Sequence, residues 1–329
     1  MRWVETGDGQ QIALHHYAPV KDAGHLPVMM LHGLGSNRHN FDLFGHIDAL
    51  PRQMARDGYQ VYVVELRGVG VSRQRRAEGR LQGVDAYLRH DLPAAVAYIR
   101  RVHDAQKLHW VGHSMGAMLG YLYGSAFPEH LQSLLAAAGP VPAHVKVPAR
   151  SLILPFRHII HGRRMGDTEI PNRLGLHAIK RMPRLIRLAY DKILFSSENM
   201  TSELLVQFAQ HGLENVPLSV IRRIGEWAAP SGAHSGEIER ALSTLHVPTL
   251  MLAARYDPLC PPEVMLEASK LMPYGNVETC VVSREQGFKA DFGHGDLLAS
   301  HAAVREVYPL ILRFIADHET RRTLPKSMS

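Results

Sequence analysis

The residues Gly112-His113-Ser114-Met115-Gly116 stand between an apolar run, Leu108-His109-Trp110-Val111, and a helix-like stretch from Ala117 to Tyr123. A serine between two glycines at that spacing suits a sharp strand-to-helix turn. The central residue takes a strained backbone conformation, and only glycines two positions away let strand and helix approach so closely. Such a turn lifts a hydroxyl clear of the sheet and offers it as a nucleophile. In a chain with 27 glycines the pentapeptide alone arises often by chance, so the flanking strand and helix signals carry most of the weight. An ordinary tight turn is the competing reading of Ser114.

A serine hydroxyl is a weak nucleophile at neutral pH. It needs a base, an acid that orients the base, and donors for the charge that develops on an attacked carbonyl oxygen. The chain offers all of these. Phe292-Gly293-His294-Gly295-Asp296 follows a strand-like segment from Val277 to Ser283, and its glycine-flanked position singles out His294 as the base among 21 histidines. Pro248 to Ala254 reads as a buried parallel strand that runs into Arg255-Tyr256-Asp257-Pro258, so Asp257 falls just past a strand's carboxyl end, where it can fix the imidazole tautomer. An Asp-Pro turn is its bland alternative, and Asp296 is a rival carboxylate two residues from the base. Val28-Met29-Met30-Leu31 runs into the glycine-rich turn His32-Gly33-Leu34-Gly35-Ser36. The amides of Leu34 and Met115 are the expected oxyanion donors, with His32, Gly33, Gly35 and His113 shaping the site. Such a turn could instead cradle a phosphate, but neither GxxxxGK[ST] nor GxGxxG opening a helix is present.

With these residues in place the chain resembles the α/β-hydrolase family, whose nucleophile, acid and base come in the order Ser114, Asp257, His294. The resemblance covers roughly residues 1 to 317. Val63 to Ser72 looks like the family's D-x-R-G-x-G-x-S turn, with Glu65 where aspartate is common and Val69 where histidine is common. The resemblance implies a mostly parallel, doubly wound sheet with an inserted helical cap. It also implies a serine esterase or lipase, with monoacylglycerol lipase-like members among the relatives. Haloalkane dehalogenases and epoxide hydrolases carry aspartate where Ser114 stands. An acyltransferase or thioesterase would use the same triad and remains open. A silent hydrolase fold that only binds a ligand would usually show a broken triad, and here all three positions are filled.

The elements that must position these residues are legible as an alternation. An antiparallel hairpin opens the chain, Trp3-Val4-Glu5-Thr6 and Gln11 to Tyr17 around Gly7-Asp8-Gly9. Strand patterns follow at 27–31, 60–65, 107–112, 133–138, 248–254 and 276–283, with helical patterns such as Asp91 to His103 between them, the rhythm of a doubly wound sheet. Ligands in such sheets bind beyond the strands' carboxyl ends, where all the candidate residues fall. The rhythm stops after Gly139-Pro140 and resumes near Val247. Residues 1–140 and 247–318 are therefore the expected catalytic core and 319–329 a frayed tail, and the resemblance implies that the helical stretch 141–246 between them is a cap or lid.

Composition narrows the classes further. With 46% hydrophobic residues in a 329-residue chain, one large core plus an insertion is feasible. The first residues hold no apolar leader core, and no run approaches the ~18 apolar residues of a membrane span, so a cytoplasmic protein is expected. Two cysteines, Cys260 and Cys280, do not make a disulfide framework. No compact metal-ligand spacing appears, and neither metal nor cofactor is expected. The net charge of +6 is concentrated: from 142 to 192 there are eleven Lys or Arg against three acids. With no aromatic residues interleaved as a stacking platform and no nucleic-acid motif, this stretch does not point to nucleic acid. It reads either as a solvated face or as a lid meeting hydrophobic acyl chains at an anionic membrane surface. The expected partner is a small-molecule acyl ester with a hydrophobic chain.

Overall fold

The computed structural model describes residues 1–75, 82–144, 169–170, 195–196 and 198–320. Its centre is an eight-stranded sheet. In chain order the strands are β1 (Arg2–Glu5), β2 (Gln11–Tyr17), β3 (Val28–Leu31), β4 (Val61–Glu65), β5 (Leu108–His113), β6 (Leu131–Ala137), β9 (Thr249–Ala254) and β10 (Val277–Val282). Two short strands, β7 (Glu169–Ile170) and β8 (Val216–Pro217), pair antiparallel outside this sheet. The strand order is β1-β2-β4-β3-β5-β6-β9-β10. From β4 to β10 every pair is parallel, and β1 and β2 add an antiparallel edge.

The central strands β3, β4 and β5 are buried along their whole length, and rich in apolar residues, because both faces of the sheet are covered. Side chains alternate across it: Met29 and Leu31 of β3 enter one core cluster, and Val28 and Met30 enter the other. The first cluster is closed by helices α2 (Leu92–Val102), α3 (Met115–Ala126), α6 (Glu237–Ser243) and α7 (Pro262–Ser269). The second is closed by α1 (Leu50–Arg56), α4 (Ser202–Gln207), α8 (His301–Glu306) and α9 (Tyr308–Asp317). Helices on both faces of a mostly parallel sheet give the doubly wound architecture expected from the sequence. Among the described residues no helix is long and apolar enough to cross a membrane, and Cys260 and Cys280 are both free thiols.

Three local differences from the sequence reading have physical causes. The end of the insertion belongs to the core: Ile238 and Leu242 of α6 are fully buried, and Leu245 and Val247 pack beside Gly124 of α3. Glu319, assigned to a frayed tail, is docked. Its carboxylate accepts the Leu26 amide at 3.0 Å and lies 3.3 Å from His109 Nε2. The β7–β8 pair has no counterpart in the helical pattern of the insertion. Of the basic stretch 142–192, all but 142–144 and 169–170 lies outside the described residues.

Glycine substitutions separate steric necessity from mere tolerance. A methyl group at Gly225, inside helix α5 (Leu218–Ala228), would meet nothing within 4 Å. Gly225→Ala should therefore raise stability by about 0.5–1 kcal/mol. A methyl group at Gly116 would collide with the main-chain oxygen of Leu31, and Gly116→Ala should cost at least about 3 kcal/mol. Urea unfolding of the two variants checks both signs.

Candidate active site

Ser114 occupies the junction between β5 and α3 with φ 53° and ψ −116°, a conformation that a side chain bearing Cβ rarely adopts. Its amide donates to Ala137 O of β6 at 2.9 Å, while its carbonyl accepts Ala117 N and Met118 N and starts the helix. The turn is tight enough that a Cβ at Gly112 would strike the carbonyl of Gly116, and one at Gly116 would strike that of Leu31. Local sequence thus sets the strain, and packing against β3 and β6 holds it.

The structure brings His294 and Asp257, the expected base and acid, to Ser114. His294 Nε2 lies 2.9 Å from Ser114 Oγ, and Nδ1 lies 2.7 Å from Asp257 Oδ2. A proton on Nδ1 donates to the carboxylate and leaves Nε2 as the acceptor for the serine hydroxyl. All three residues are buried. Burial pushes the Asp257 carboxyl up, but His294 and the amides of Cys260 and Leu259 outweigh it and hold the pKa below its ordinary value. Those amides donate to Oδ1 at 2.9 and 2.8 Å. Asp257 therefore presents a carboxylate with one oxygen fixed by the main chain and the other aimed at the imidazole.

Asp296, the rival carboxylate, turns away from the imidazole. Its Oδ1 accepts Gly293 N at 2.9 Å and Ser196 N at 3.1 Å, and its Oδ2 accepts Asn199 Nδ2 at 2.7 Å. Burial raises its pKa to about 6 against the opposing pull of these donors. It fastens the loop that bears His294 and does not touch the ring.

The turn after β3 comes directly against Ser114. A Cβ at Gly33 would stand 3.1 Å from Ser114 Cβ and 2.9 Å from His113 Nδ1, so only glycine fits there. Among the described residues, neither the Leu34 amide nor the Met115 amide has a protein acceptor. Met115 also opens α3, where free N–H groups and the helix dipole favour negative charge. Gly35 bends the chain with φ 64°. His32 is buried, and its pKa is lowered by burial despite the contact of Nδ1 with Gly33 O at 2.8 Å. It ties the turn to itself.

His113 links the two halves of the site. Nδ1 is 2.8 Å from Asn40 Oδ1 and Nε2 is 2.9 Å from the main-chain oxygen of His294. Burial first, then the neighbouring His294, pushes its pKa down to about 3. A neutral imidazole carries one N–H, which serves one of these two oxygens. Asn40 Oδ1 also accepts Gly33 N at 3.2 Å. Asn40 was not legible as a site residue, because it lies in a stretch with no periodic pattern or motif. Among the described residues no group of three or more His, Cys, Asp or Glu side chains is arranged to hold a metal.

Comparison with known proteins bears on the family and the fold. Residues 27–287 match the family described as alpha/beta hydrolase fold. Human lysosomal acid lipase/cholesteryl ester hydrolase is 29% identical over 151 residues, 42% of this chain and 38% of that protein. Lipase 1 of Psychrobacter immobilis is 21% identical over 257 residues, 76% of this chain and 68% of that one. The chain thus matches about two fifths of the human relative's length. Among solved structures, a malate-bound thermophilic esterase from Thermogutta terrifontis has a TM-score of 0.63 over 97% of this chain and 99% of that chain, at 18% identity, a likeness of fold.

The two carboxylates can be told apart. Asp257→Asn should lower kcat by about 10³- to 10⁴-fold, since an amide holds imidazole in the wrong tautomer, whereas Asp296→Asn should keep kcat within about tenfold. With a folded-state pKa of about 6, Asp296 favours folding fully below about pH 4 and loses that contribution as pH rises through 6. Chemical unfolding from pH 4 to 7 should therefore shift in favour of Asp296→Asn relative to wild type, by up to about 3 kcal/mol.

Proposed function

The chain belongs to the α/β-hydrolase family, and we propose that it is a serine hydrolase of carboxylic esters. The observation that carries this reading is the unbroken line from Asp257 through His294 to Ser114, at 2.7 and 2.9 Å, ending on a strained turn at the head of a helix. Ser114 Oγ attacks the ester carbonyl and His294 Nε2 takes its proton. The carbonyl oxygen gains a negative charge, which the amides of Leu34 and Met115 receive. The imidazolium, held by Asp257, passes the proton to the leaving alcohol, and an acyl-enzyme remains on Ser114. Water then attacks with His294 again as base, and serine and acid are released. A preorganised pair of amides at that oxygen is worth about 10²- to 10³-fold in rate per donor.

The proposed substrate is a small-molecule ester with a hydrophobic acyl chain. In support, a lipase and a cholesteryl ester hydrolase stand among the similar proteins. Residues 141–236 are proposed to cover the site as a cap. The basic excess from 142 to 192 would draw such a cap towards an anionic membrane surface inside the cytoplasm, at about 1 kcal/mol per nearby Lys or Arg. A thioester substrate, or an acceptor other than water, would use the same groups.

Fluorophosphonate labelling joined to a substrate panel tests the reading. Wild type should take up one label per chain and hydrolyse p-nitrophenyl esters of graded acyl length, and Ser114→Ala should do neither while keeping its fold by circular dichroism. Stoichiometric labelling of the alanine variant would place the nucleophile elsewhere. Faster turnover of acyl thioesters than of oxygen esters, or transfer to an added alcohol in preference to water, would make the protein a thioesterase or an acyltransferase.

A further inference from the structure

The turn that bears the Leu34 amide is held from two sides. On the core side Gly33 N donates to Asn40 Oδ1 at 3.2 Å. On the other side lies a segment of the insertion more than 170 residues away in sequence: Glu214 N donates to Gly35 O at 2.8 Å, and Ser36 and Leu213 form an antiparallel bridge. The Gly33–Leu34 peptide, whose N–H is the proposed oxyanion donor, is therefore bracketed between two pinned atoms, Gly33 N and Gly35 O.

Side chains close the same junction. Asn37 Nδ2 donates to His211 O at 2.7 Å and to Glu214 Oε1 at 2.8 Å, while its Oδ1 accepts His39 N at 3.1 Å. Arg73 Nη2 stands 3.5 Å from Glu214 Oε2. Asn37 is buried and Glu214 is fully so, at 0% exposure. Taking a carboxylate out of water is costly, and a buried polar network adds little stability over an apolar contact of the same shape. What such a network supplies is a fixed geometry. The same limb also reaches the base, because Ser196 N and Asn199 Nδ2 bind Asp296 beside His294.

We propose that Asn37 and Glu214 are positioning residues of the oxyanion hole: through them the returning limb of the insertion sets where the Leu34 amide points. This rests on the hydrolase reading above, because the Leu34 amide matters only if an oxyanion forms. The insertion is then part of the catalytic scaffold as well as a cover. A shift confined to residues 211–214 would loosen one of the two donors, while the contacts of Ser196 and Asn199 with Asp296 keep the His294 loop in place.

The test compares Asn37→Ala, Glu214→Ala and Glu214→Gln with wild type in the full chain. Both alanine variants should lose about 10- to 100-fold in kcat on a p-nitrophenyl ester, with KM changed less than about twofold, as expected when an interaction specific to the transition state is weakened. Their affinity for a trifluoromethyl ketone, whose hemiketal oxygen occupies the oxyanion position, should fall by the same factor, while affinity for the plain methyl ketone of equal length stays put. Glu214→Gln keeps an acceptor for Asn37 and should restore most of the loss. Equal losses for both ketones, or kcat unchanged despite a lowered melting temperature, would overturn the proposal and leave a merely structural junction. Amide hydrogen exchange over residues 33–38 reads the latch without turnover and should speed up at least about tenfold in both alanine variants. Unchanged exchange would overturn the latch. Faster exchange in a protein whose wild type hydrolyses no ester would keep the latch and overturn the hydrolase reading.

Discussion

The main chain at Ser114 is the constraint on which the rest of the structure depends. A non-glycine residue at φ 53° and ψ −116° costs on the order of 1–3 kcal/mol and persists only where its surroundings over-determine it. Here they do. The amide is bound to β6, the carbonyl starts a helix, and two glycines remove the side chains that would otherwise separate β5, α3 and β3. The order of strands follows from this need, since β3 and β6 flank β5 and supply the two walls against which the turn is pressed. The turn after β3 is thereby delivered to the same point, and the free Met115 amide comes with the helix.

Electrostatics then fit a site that must hold charge briefly. Asp257 is the buried group kept in its charged form, and its burial is offset by two main-chain donors and the imidazole. His32 and His113 are pushed towards the neutral form by burial. They add hydrogen bonds without placing a positive charge beside His294. In the proposed reaction His294 has one anionic partner, Asp257, for the imidazolium it would become on taking the serine proton.

What the sequence revealed and what it hid follow from distance along the chain. Ser114 was legible because the strain, the glycines that permit it and the helix that follows are contiguous. Asp257 and His294 were legible because each sits just past a strand end with its own local punctuation. The same holds for the parallel strands, whose apolar runs lie within a residue or two of their observed bounds. Asn40, Asn199 and Glu214 were not legible. Each is an ordinary polar residue by type, and its role comes from a partner fixed only by the tertiary fold, at Gly33, Asp296 and Asn37. Glu319 was misread for the same reason, since nothing near it announces the Leu26 amide it binds. Helix α6 looked like part of the insertion by position, whereas its packing on α3 is a long-range fact.

Rapid acid quench of a single turnover, read by mass spectrometry, bears most directly on the central claim that the strained serine is the group that becomes acylated. With a slowly deacylating long-chain ester, the whole-chain mass should rise by one acyl group within the burst and decay at the steady-state rate, and proteolysis should place that mass on the peptide containing Ser114. Ester hydrolysis with no acyl mass on the chain at any time, or acyl mass on another residue such as Cys260, would contradict the account.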